Sequence, residues 1–278
     1  MRFFVDLWQR YVLDVRAQTD REAAEWQATH GIGAADRRLA VVLTTVMLCL
    51  IYTRYLGSVG HIRNWLDVLS FVGLDEWSKG LEHWLTASEN RRFNGRMFWA
   101  AGRVMGYVVF PSLVILFVLK DRIGDFGLRV KGILPHGKIY GLMLAGIAPL
   151  VVVVSFFESF QRKYPFYKLR ADEAWWPNFI CWELLYAMQF AALEFFFRGF
   201  MLHGTKHRLG YAAVWVMMVP YMMIHFGKPM PECIGSIIAG FVLGTLSLKS
   251  NSVWWGVAIH VAVAWGMDLL SLWQRGLI

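Results

Sequence analysis

The sequence predicts an all-α fold: a polytopic bundle of about seven transmembrane helices, with interfacial amphipathic helices toward the N-terminus. Three observations predict it. Hydrophobic residues fill 57% of the 278 positions and charged residues only 17%, where water-soluble domains carry roughly 25% charged residues. Apolar runs of spanning length, roughly 20 residues, recur along the chain. The loops between them are too short for independent domains, so one integral membrane unit is expected.

The elements follow in order. Residues 1–38 read as an amphipathic interfacial segment. "MRFFVDLWQRYVLDVRAQ" sets Phe3, Phe4, Leu7, Trp8, Tyr11, Val12 and Val15 on one helical face. Asp6, Arg10 and Asp14 interrupt the apolar stretch that a signal peptide would need. Such a helix lies in the membrane interface or packs on the protein's own cytoplasmic face. Residues 39–174 hold the N-terminal spans and loops, with apolar runs at about 39–56, 97–119 and 138–157. Between the first two, Ile62, Trp65, Leu66 and Leu69, then Trp77, Leu81, Trp84 and Leu85, recur at helical spacing among charges. They read as further interfacial helices. Residues 175–275 form a core that carries a polar pocket, with runs at about 177–203, 210–226, 232–248 and 253–272. Lysines and arginines divide almost evenly between the two sides, with a slight excess that sets the N-terminus in the cytoplasm.

The net charge of +8 sits in short loops beside apolar runs. Membrane lipid headgroups, and not nucleic acid, are therefore the expected partners. Cys49, Cys181 and Cys233 lie in or beside apolar segments without any CxxC or Cys/His cluster, which argues against a disulfide framework or a structural zinc site.

An ionised side chain at mid-membrane costs about 2.5–3.5 kcal/mol on insertion scales, so the charges inside these runs carry information. Glu183, Glu194 and Arg198 fall on one face of the 177–203 run, and Glu194 and Arg198 stand one turn apart, where they can pair. That pair either locks the helix to its neighbours or belongs to a functional pocket. His225, at the end of "PYMMIH", and His260, inside "GVAIHVAVAW", favour the pocket, because a carboxylate takes a proton from water while histidines hold that water or an oxyanion. Glu232 stands just before the 232–248 run, as a surface charge or within reach of His225. Ser236, Gly240 and Gly244 form a small-residue stripe for close helix packing. His203 and His207 have the spacing of a metal pair but read as solvated or headgroup-facing.

Together, Glu194-Phe-Phe-Phe-Arg198-Gly199, then Tyr221-x-x-x-His225, then His260 resemble the CPBP family of intramembrane glutamic proteases. That family includes the CAAX prenyl endopeptidases and bacterial bacteriocin-processing relatives. The resemblance covers roughly residues 175–275. Its first motif is usually Glu-Glu-x-x-x-Arg; here Leu193 takes the place of the first glutamate, and Ala264 stands where the third motif usually has asparagine.

The resemblance implies an endopeptidase that hydrolyses a peptide bond in a membrane protein or peptide substrate without a cofactor. Glu194 activates the water in this reading, Arg198 orients it, and His225 and His260 stabilise the oxyanion. Glu183 and Glu232 are supporting candidates. A zinc site of Glu and two His is the alternative chemistry. A catalytically silent membrane scaffold and a transporter are the alternative functions. Short basic loops fit a bacterial cytoplasmic membrane. Substrate identity and oligomeric state leave no mark in the sequence.

Overall fold

A chain that crosses lipid must satisfy its own backbone hydrogen bonds, which leaves the helix as the solution for apolar runs of this length. The computed structural model describes residues 2–169 and 174–278, so the end of the expected 39–174 unit lies partly outside the described residues. Every named element among the described residues is helical. The chain is an integral membrane helix bundle.

Among the described residues, five helices are long and apolar enough to cross a membrane: Arg91–Leu119, Leu134–Ser155, Trp175–Met223, Met230–Ser250 and Trp254–Gln274. A sixth appears if Ile32–Tyr55 and Val59–Phe71, which meet at an 84° bend, count as one span. The expected runs at 177–203 and 210–226 both fall within the single stretch Trp175–Met223, so what the sequence reading of about seven takes as two runs is counted there as one. Its last helix, Ala213–Met223, has 11 residues. It is the short returning arm of the Trp175–Met223 run. Gly210, at φ 55° and ψ −138°, reverses the chain, and the Arg198 guanidinium ends 3.8 Å from the Tyr221 ring centroid.

The bundle has two ends. At one, Arg38 Nε donates to Gly204 O (3.1 Å), Val253 N to Gly127 O (2.8 Å) and Trp255 Nε1 to Ile133 O (2.9 Å). At the other, Ser271 Oγ and Arg275 Nη2 donate to Tyr164 O, and Arg96 Nη2 donates to Phe166 O. Between them the main core gathers Phe195, Phe196, Phe197, Phe200 and Leu202 against Tyr107, Val46, Met217 and Tyr221.

The N-terminal segment divides between its two expected roles. Val15, Thr19 and Ala23 are buried, Asp20 Oδ1 accepts the Tyr211 N–H at 2.7 Å, and Gln27 Nε2 donates to His207 O at 2.8 Å. This half packs on the protein. Phe3, Phe4 and Val5 stay exposed, the half that suits a lipid interface. Helices Ile62–Phe71 and Asp75–Thr86 match the expected interfacial pair, with Leu66 and Leu85 buried and Phe71 and Trp77 exposed.

The small-residue stripe is a packing device. A Cβ on Gly240 would stand 3.0 Å from Met218 Cγ, and one on Gly244 would stand 2.9 Å from Met217 Cε. Absent side chains let Met230–Ser250 close on the short arm.

Candidate active site

The site is built on one helix. Ile180–Glu194 is a regular α-helix, and across Phe195–His203 it widens to the looser π form, a distortion that tends to occur at functional sites. Glu194 and Arg198 flank that transition with 1% and 0% exposure. Arg198 Nη1 lies 2.9 Å from Glu194 Oε1.

Two neighbouring elements complete the cluster. From Trp254–Gln274, His260 places Nδ1 2.7 Å from Glu194 Oε1. From the short arm, the Tyr221 hydroxyl stands 3.0 Å from His260 Nε2. One neutral tautomer suits both contacts: Nδ1–H faces the carboxylate, and Nε2 accepts from Tyr221. Phe190 stacks on the His260 ring, centroids 5.4 Å apart and planes 8° from parallel. Gly256 makes the approach feasible, since a Cβ there would stand 2.4 Å from Glu194 Oε2. Removing one partner of such a buried pair costs about 3–5 kcal/mol, because the other charge is left uncompensated.

Beside this cluster lies a cavity of about 330 Å³. Its polar lining includes Tyr164, Tyr221, His225, Glu232, Ser236 and His260, and much of the rest is apolar wall from Leu134–Ser155 and Met230–Ser250. Neither Glu194 nor Arg198 lines it. The pair stands behind His260 and Tyr221. His225 and His260 share the cavity, as expected.

His225 Nδ1–H donates to Tyr221 O at 2.9 Å, which leaves Nε2 as an acceptor. Burial, and secondarily the Lys228 charge, push this imidazole down to about 4, so it is neutral near pH 7. Glu232 is half-buried in the cavity wall, paired with Lys228 one turn earlier and accepting the Tyr164 hydroxyl at 2.8 Å. Its reading as a surface charge is corrected: the chain turning at Gly227 and Pro229 brings the first turn of Met230–Ser250 over the cavity.

Glu183 interacts with Asp268. Asp268 is 1% exposed and accepts the Phe166 N–H at 3.1 and 3.2 Å. Leu193 sits in the main apolar core and Ala264 among Trp182, Tyr186 and Leu272. His203 departs from the solvated reading: it is 2% exposed, with Nε2 3.3 Å from Ser247 Oγ. The π widening sits it against Gly127, whose added Cβ would lie 3.3 Å from the ring. Among the described residues, no three His, Cys, Asp or Glu side chains converge as metal ligands.

Sequence reasoning missed Tyr164, Gly256 and Asp268. Asp268 had a signal, an acid two turns beyond His260 in an apolar run. Gly256 had none, because its role exists only against another helix.

No curated protein and no solved structure matches the chain. A family model described as type II CAAX prenyl endopeptidase, Rce1-like, matches residues 174–266. That interval contains Glu194, Arg198, Tyr221, His225, Gly256 and His260. Over residues 174–266 the chain is thus similar to the Rce1-like type II CAAX prenyl endopeptidases.

Proposed function

We propose that the chain is an intramembrane endopeptidase of a bacterial cytoplasmic membrane, hydrolysing a peptide bond in a membrane-associated protein without a cofactor. The observation that carries this reading is the cavity shared by His225, His260 and Tyr221, backed by the enclosed Glu194–Arg198 pair. The substrate's apolar part lies along the wall formed by Met143, Ile147 and Leu150, and its scissile carbonyl sits near the histidines. The Tyr221 hydroxyl, turning from His260 Nε2, donates to the developing oxyanion, a role worth a hundredfold or more per donor on the order of known cases. Glu194 acts as a positioning residue: it fixes the His260 ring through Nδ1. Arg198 balances Glu194.

A catalytically silent scaffold is the second reading, favoured by Leu193 and Ala264, apolar residues packed into the core where the resembling family carries polar ones. The two separate cleanly. Protein termini in host membranes, compared by mass spectrometry between wild type and His260→Ala at matched abundance, lose specific cleavage products if the chain is a peptidase. Identical terminal profiles in the two strains rule the peptidase out.

A further inference from the structure

The peptidase reading needs a carboxylate at the cavity surface, and Glu194 is not there. Position 193 is leucine, buried on the core side of the helix. Glu183 lies with Asp268. Among the described residues lining the cavity, Glu232 is the one acid.

Its surroundings are those of a held reagent. The carboxylate accepts the Tyr164 hydroxyl at 2.8 Å, and Tyr164 is itself 1% exposed and fixed through its carbonyl by Ser271 and Arg275. Lys228 pairs with the other carboxylate oxygen, so both oxygens are held in place. The groups around Glu232 in the cavity are Tyr164, Tyr186, Tyr221, His225, Lys228 and His260. The Glu232 charge is close enough to pull the His225 imidazole upward against burial. The free Nε2 of His225 opens a second acceptor for the same water.

Resting on the peptidase reading, we infer that Glu232 is the water-activating carboxylate of this chain, supplied by the first turn of Met230–Ser250 in place of the acid that Leu193 does not provide. Glu232 takes one proton from water as the oxygen bonds to the scissile carbonyl carbon. The electron pair of the C=O bond moves to the oxygen, which the Tyr221 hydroxyl, turned from His260 Nε2, holds. On collapse, the C–N bond breaks and Glu232 returns its proton to the leaving nitrogen. One water is consumed, and one carboxylic acid and one amine are released.

The test uses membranes isolated from host cells lacking the chromosomal copy and carrying wild type, Glu232→Gln, Glu232→Asp or His260→Ala. Product termini are quantified over time and over a pH series, with melting temperature measured on each detergent-solubilised variant. The glutamine amide oxygen still accepts from Tyr164, so a merely structural Glu232 tolerates that change. A general base does not. Glu232→Gln is expected to melt like wild type while product formation falls at least about a hundredfold, the range of general acid–base catalysis. The residual rate should lack the wild-type fall toward acid pH. Glu232→Asp, one methylene short, should fold and still lose at least about tenfold, since small misplacements cost heavily. It decides the matter if the glutamine variant does not accumulate. Wild-type turnover in either folded variant overturns the assignment and leaves the peptidase reading standing. Termini that do not differ between wild type and His260→Ala overturn both.

Discussion

At the scale of single residues, the site depends on what is left out as much as on what is present. Gly256 gives Glu194 its place against Trp254–Gln274. Gly256→Ala should lower stability by about 1–3 kcal/mol, as forced overpacking does. It should also displace His260, so melting in detergent and product termini fall together. His225 makes a prediction about acidity. Its folded pKa of about 4 lies below the ordinary 6.5, so between those values the unfolded chain binds more protons. Stability then rises with pH across that window and is lost as pH falls. A melting series from 6.5 down to about 4 should show this slope, and His225→Phe should flatten it. Glu194, Arg198 and His260 were legible in sequence because charge in an apolar run is costly and so stands out. Glu232 was not. It sits in a turn, where charge is ordinary, and only the packing of Tyr164 and Lys228 on it reveals the cavity.

At the scale of elements, the reversal at Gly210 assembles the site. It doubles Trp175–Met223 back so that Tyr221 meets both Arg198 and His260. A Cβ at this position would stand 2.3 Å from Asp20 Oδ1, and the positive φ disfavours any side chain. Gly210→Ala should cost about 1–3 kcal/mol in backbone strain and loosen the N-terminal helix, whose Asp20 caps the Tyr211 N–H. Protease nicking ahead of Ile32 should rise in step with the fall in melting temperature. The spans at 97–119, 138–157, 232–248 and 253–272 were legible because hydropathy alone sets them. The 210–226 run was legible in the same way, although its helix is short. Its shortness is a property of where Gly210 and Gly227 turn the chain, which no apolar count registers.

At the scale of the whole molecule, the two ends of the bundle predict sidedness. Single cysteines at Lys131 and Lys206, in a cysteine-free background, should label from the same face of the membrane as Arg37. Those at Lys228 and Arg275 should label from the opposite face. Labelling of Lys206 and Lys228 from one side would contradict the fold. The helix Leu134–Ser155 bears on how the cavity is reached. Only 6% of its apolar window is buried, and apolar clefts run along it toward both Trp254–Gln274 and Met230–Ser250. The fence between reaction chamber and bilayer is therefore a single loosely seated post. A molecule reaches the chamber by lateral diffusion in two dimensions, after partitioning from water into lipid. For the proposed peptidase, the concentration that governs turnover is then a mole fraction in the membrane: diluting the bilayer with inert phospholipid should slow the reaction, while enlarging the surrounding aqueous volume should leave it unchanged.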